Sequence, residues 1–156
     1  MTRPVLVFAC GNPSRGDDAV GPLLLDYLAS RVDLSETELL TDFQLQIEHA
    51  LDLQHRKLVL FVDASVSCRA AFSLTELRPV RDNSYTSHAM SPSALLQVYQ
   101  SIHETPPPPS FLLSIRAEQF ELGAPLSGNT LDNLIQASVF AERLLAQFEP
   151  CPDSVD

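Results

Sequence analysis

The chain has 156 residues, 45% of them hydrophobic, with 20 acidic against 10 basic side chains and a formal charge of -10. That size and apolar content predict one domain with a proper core and exclude a wholly disordered chain. The acidic balance lacks the basic footprint of a nucleic-acid binder and is unsuited to docking on anionic lipid. The three cysteines, Cys10, Cys68 and Cys151, are widely spaced and form no C-x-x-C pair. They fit reduced thiols in a cytoplasmic protein, without a zinc knuckle or redox motif. No apolar run approaches the ~18 residues of a membrane span.

Residues 4–10 read as a buried strand that Gly11 ends. Asp17 and Asp18 then precede a helix, in which Val20, Leu23, Leu24, Tyr27, Leu28 and Val32 repeat at helical spacing, with Pro22 in the first turn. A short strand at 38–41 leads through residues 42–45 to a second helix over 46–54, with Ile47, Ala50, Leu51 and Leu53 as its apolar positions. Residues 57–62 form the strongest strand, nearly all apolar and ending in Asp63, as expected of a central parallel strand buried on both faces. Residues 71–77 read as an edge strand. Ser91 and Pro92 supply an N-cap and first position for a further helix. Four prolines at 106–109 make a stiff connection to a strand over 111–115. A final helix spans 130–148, with Leu131, Leu134, Ile135, Ser138, Val139, Leu145 and Phe148 as its expected core face, and residues 149–156 read as a flexible tail. Alternation of strand and helix predicts a mostly parallel sheet with helices on both faces, in one domain over 1–156.

Right-handed crossovers bring the carboxyl ends of parallel strands to one rim, where such sheets carry their sites. Asp17 and Asp18 follow the first strand, Asp63 ends the central one, and His88 precedes the helix beginning at Ser91. Two carboxylates and an imidazole from separate loops make an O/O/N set suited to nickel, zinc or iron. Each acid alone also fits a helix cap, and a lone loop histidine also fits plain solvent exposure. Competing motifs are absent: there is no P-loop, no G-x-S-x-G elbow and no H-E-x-x-H helix. Cys10 reads as a small apolar side chain rather than a nucleophile. His49 and His55 are six apart, not at the i, i+4 spacing of a ligand pair.

Gly11-Asn12, then Asp17-Asp18-Ala19-Val20-Gly21, then Asp63-Ala64 after an apolar strand and a histidine before a helix, resembles the NiFe-hydrogenase maturation endopeptidases over most of the chain. The resemblance implies a three-layer α/β/α sandwich with a twisted, mostly parallel sheet of about five strands. It implies removal of a C-terminal peptide from a hydrogenase large-subunit precursor, by an aspartic-type or nickel-dependent endopeptidase. Asp18, Asp63 and His88 would be the catalytic and metal-contacting residues, and the nickel would be carried by the precursor. Asn12, Asp17, Asp42 and Gln44 would contact the substrate or partner. Asp18 stands where many members carry Glu, one methylene longer, and Thr41 to Glu48 departs from their Gly-rich D-G-G-T loop toward the branch serving soluble NAD-coupled hydrogenases. A metal-sensing chaperone or binding module on the same fold, or an unrelated α/β metallohydrolase, are the competing expectations.

Overall fold

The computed structural model describes residues 2–81 and 90–148; His88 and the tail at 149–156 lie outside them. Five strands, β1 (Val5–Cys10), β2 (Thr37–Asp42), β3 (Leu58–Ser65), β4 (Phe72–Glu76) and β5 (Ser110–Arg116), form one sheet in the order β2-β1-β3-β5-β4. All neighbours are parallel except β4, which runs antiparallel on the edge beside β5. The strands are joined by α1 (Val20–Ala29), α2 (Pro92–His103), α3 (Gly128–Ala146) and two 3-10 segments, Gly16–Ala19 and Ile47–Leu53.

The apolar runs of β1 and β3 are continuous because both sheet faces are covered. Val5, Val7, Ala9, Leu58, Leu60 and Val62 enter one core with buried residues of α1 and α3. Leu6, Phe8, Cys10, Val59 and Phe61 enter the other, under Ile47–Leu53 and α2. Helices therefore cover both faces, as expected, and β3 is the central strand. Ser91 caps α2 as predicted, its hydroxyl accepting from the Ala94 N–H at 3.1 Å.

Two helices differ from expectation. The 46–54 segment is a 3-10 helix in which Ala50 and Leu53 are buried, while Ile47 and Leu51 are 57% and 65% exposed. The buried pair is three residues apart, which matches three residues per turn rather than 3.6. In α3 the buried face is Thr130, Leu134, Ala137, Ser138, Ala141 and Leu145, while Leu131, Ile135 and Val139, and Phe148 just beyond its end, are exposed. Small residues admit close packing, so the face carrying the alanines turns inward and the bulkier Leu131, Ile135 and Val139 stay out.

The chain passes from β1 to β2 on one side, then returns to β3 on the other side of β1. The carboxyl ends of β1 and β3 thus flank a topological switch point, where open α/β sheets form a crevice. Gly21 lets α1 rest directly on this rim: a Cβ there would lie 2.9 Å from the Cys10 carbonyl oxygen and 3.2 Å from the Ala9 Cβ. Gly21→Ala is therefore expected to cost about 1–3 kcal/mol by overpacking. Gly128→Ala, whose Cβ would meet nothing within 4 Å, is expected to be neutral or stabilising by up to about 1 kcal/mol. Urea denaturation of the two variants checks the contrast.

Candidate active site

The turn after β1 aims one carboxylate into the crevice. Gly11 continues the β1–β2 ladder by donating its N–H to the Asp42 carbonyl at 3.1 Å. Its φ of +148° is open to glycine, and any Cβ there would collide with the Asp18 carbonyl. Asn12 then forms an Asx turn, its Oδ1 accepting from the Ser14 N–H at 2.9 Å. The Asn12 N–H donates to Asp18 Oδ2 at 2.7 Å. Asn12 thus positions Asp18 through its backbone, while its side chain holds the turn.

Asp17 faces the other way. It is fully buried, and its carboxylate accepts from the N–H groups of Glu118, Gln119 and Ser127 at 3.0, 3.0 and 2.8 Å. The hydroxyls of Ser127 and Thr130 add bonds of 2.9 and 2.7 Å. Burial pushes the carboxyl upward, but these donors overcome it and hold it at about 2. Asp17 thus locks the turn after β1 to the loop between β5 and α3 and to the first turn of α3.

Asp63 stands near the carboxyl end of β3, two residues before the strand stops, its Oδ1 accepting from the Ala64 N–H at 2.8 Å. Although the residue shows surface to solvent at the cleft mouth, protein crowds its carboxyl. That desolvation pushes it up to about 6, against the Ala64 hydrogen bond and with further upward help from the charge of Asp18. Asp18 and Asp63 line one cleft of about 210 Å³, together with Cys10, Gln44 and an apolar wall that includes Phe43, Leu45, Met90 and Leu112. Cys10 is pushed up to about 12, first by burial and then by the charges of Asp63, Asp42 and Asp18. It stays a protonated thiol and no nucleophile, in keeping with its packing role.

The structure thus brings Asp18, Asp63 and Gln44 together. Asp42 stands beside Cys10 in the β1–β2 register and pairs with His49, Nε2 to Oδ2 3.2 Å. A carboxylate pair supplies hard oxygen donors, and the N-donor expected with it is the His88 outside the described residues. Among the described residues no three His, Cys, Asp or Glu side chains gather as a metal-holding group. A larger polar groove of about 380 Å³ between β5 and α3 mixes Arg116 with Glu118 and Asp132, and none of the expected site residues lines it. Sequence reasoning passed over Phe43 and His49; the only signal for them was their place just after a strand ending in Asp42.

No family model matches the sequence, and no curated protein matches it. Solved structures do match the fold. The hydrogenase maturating endopeptidase HybD from E. coli superposes with a TM-score of 0.73 at 19% identity, covering 92% of this chain and 93% of that one. A NiFe-hydrogenase maturation protease, HycI, from Thermococcus kodakarensis KOD1 gives 0.69 at 18% identity, covering 93% of each chain. A hydrogenase 2 maturation peptidase from Thaumarchaeota archaeon SCGC_AB-539-E09 gives 0.64 at 22% identity, covering 92% of this chain and 98% of that one. The chain shares the α/β fold of the hydrogenase maturation endopeptidases.

Two predictions follow the two carboxyls in opposite directions. Asp17→Ala orphans several buried donors and is expected to cost about 3 kcal/mol or more in urea denaturation. Because the folded carboxyl lies near 2 and its ordinary value is 3.8, the Asp17 contribution is full above about pH 4. It is lost as pH falls toward 2. Asp63 has the reverse sign. Between its ordinary 3.8 and about 6 the folded state holds a proton that the unfolded chain has released, so stability falls as pH rises through that window. Asp63→Asn is expected to melt above wild type at pH 7.5 and to converge with it below about pH 4, as thermal melts would show.

Proposed function

We propose that this chain is a cytoplasmic endopeptidase that removes the C-terminal extension of a nickel-loaded NiFe-hydrogenase large-subunit precursor. The observation that carries the reading is the convergence of Asp18 and Asp63 on one cleft, at the switch point of a sheet whose fold the maturation endopeptidases share. Nickel belongs to the substrate in this reading. The precursor's metal adds a positive centre, and the two carboxylates supply oxygen donors for it. Met90, two residues after His88, lines the cleft, which supports His88 as the nitrogen donor of the set. An unloaded precursor lacks the centre these groups recognise, so metal loading works as a specificity check.

Asp63 supplies the acid–base chemistry. Through a carboxylate oxygen left free by the metal, it can take a proton from the attacking water and return it to the leaving amine. Asp18, tethered by the Asn12 N–H, keeps a second carboxylate in place beside it and orients what the cleft holds. The thiol of Cys10 forms part of the wall and leaves the attack to water, which makes the chemistry aspartic-type with nickel-dependent recognition.

Asp18→Ala, Asp63→Ala and His88→Ala are each expected to fold and to lose about 100-fold or more in processing rate. The assay is incubation with purified nickel-loaded precursor and mass measurement of the product. Full processing by Asp63→Ala would remove the central support of this reading. Equal cleavage of apo and nickel-loaded precursor would sink nickel recognition.

A further inference from the structure

His49 has no histidine partner at ligand spacing, yet it is the hub of a clip beside the cleft. Its Nδ1 accepts the Gln46 N–H at 2.8 Å, which assigns the ring proton to Nε2. Nε2 then donates to Asp42 Oδ2 at 3.2 Å. The other Asp42 oxygen accepts the Phe43 N–H at 2.7 Å. The imidazole is only 13% exposed and stands edge-on to Phe8, with ring centroids 4.7 Å apart. One ring therefore holds both ends of residues 42–46.

The residues between those ends, Phe43, Gln44 and Leu45, form one wall of the cleft that Asp18 and Asp63 also line. The wall is tied to Asp18 by an unbroken path. The Asp42 carbonyl receives the Gly11 N–H at 3.1 Å, and the next N–H along the chain, that of Asn12, holds Asp18 Oδ2 at 2.7 Å. On this fixed backbone the Phe43 ring is 66% exposed. An aromatic held open at a cleft mouth is a preorganised apolar contact with little entropy left to lose. Among the described residues the cleft lining contains two carboxylates and no basic side chain. Charge complementarity thus calls for a positive centre in its occupant, and the wall calls for an apolar group next to that centre.

We propose that Phe43 is a specificity-determining residue and His49 a positioning residue for the peptide that occupies this cleft. The Asp42–His49 clip sets residues 43–45 so that the Phe43 ring takes an apolar side chain flanking the scissile bond. The metal-bearing part of the same peptide faces Asp18 and Asp63. The inference rests on the endopeptidase reading and names a recognition element within that site.

The test is steady-state processing of nickel-loaded precursor, and of a precursor with serine at both residues flanking the cleaved bond. Phe43→Ala is expected to raise KM about tenfold with kcat within about twofold, and Phe43→Leu to stay within about threefold of wild type. Wild type should prefer the apolar precursor over the serine precursor, and Phe43→Ala should lose that preference. His49→Ala should raise KM about as much, with kcat kept, and His49→Gln, which retains a donor toward Asp42, should recover part of it. Since Phe43 is exposed, its variants fold whatever His49→Ala does. Wild-type KM and undiminished preference in Phe43→Ala would overturn the Phe43 assignment, and a fall in kcat at unchanged KM in His49→Ala would overturn the positioning role. A wild-type protein that cleaves while the variants match it defeats this inference alone. One that leaves the loaded precursor intact defeats the endopeptidase reading and this inference with it.

Discussion

Everything at the functional rim depends on a buried carboxylate that does no chemistry. Asp17 accepts five hydrogen bonds, four from the loop between β5 and α3 and one from Thr130 in the first turn of α3, joining the turn after β1 to that loop and helix. Its saturation by donors keeps it charged in a buried place, where an unpaired carboxylate would be far too costly. With Asp17 fixed inward, the neighbouring Asp18 is left to face the crevice, and the Asn12 N–H catches it there. Two adjacent acids of the same type thus serve opposite ends, one anchoring the loop and one arming it.

The same rim is electrostatically unfavourable to the folded chain. Asp18, Asp42 and Asp63 lie at or near the carboxyl ends of three neighbouring strands, and their charges add to burial, the larger cause, in holding the Cys10 thiol up at about 12. Asp63 is desolvated as well. A fold optimised for stability alone would not gather these groups, and strongly perturbed carboxyls in a cleft mark functional sites more often than structural ones. A positive centre entering the cleft would relieve the repulsion, so the arrangement favours a positively charged group in the occupant, the role that the proposed function gives to the precursor's metal.

Much of this was legible in the residues. The unbroken apolar runs of β1 and β3 announced strands buried on both faces, Ser91-Pro92 announced the start of α2, and the turn glycines with Asp18 and Asp63 marked the rim. Strand order was not legible, because crossovers leave no local trace. The 46–54 segment and α3 were misread in detail because both place bulky apolar residues outward, where periodicity alone expects them inward. The anchoring role of Asp17 was not legible since its donors lie about a hundred residues away in sequence, and the Asp42–His49 clip escaped because its logic is hydrogen bonding across a 3-10 turn rather than spacing. His88, which the resemblance adds to the set, lies outside the described residues.

The central physical claim is that Asp18 and Asp63 act as a pair across one cleft. It is tested most directly by following the Asp63 carboxyl carbon through a pH titration by NMR, in wild type and in Asp18→Asn. The account predicts a midpoint near 6 in wild type that moves measurably downward when the Asp18 charge is removed. A midpoint at the ordinary 3.8 that is indifferent to Asp18 would mean that the two carboxyls do not share a site, and would contradict the account.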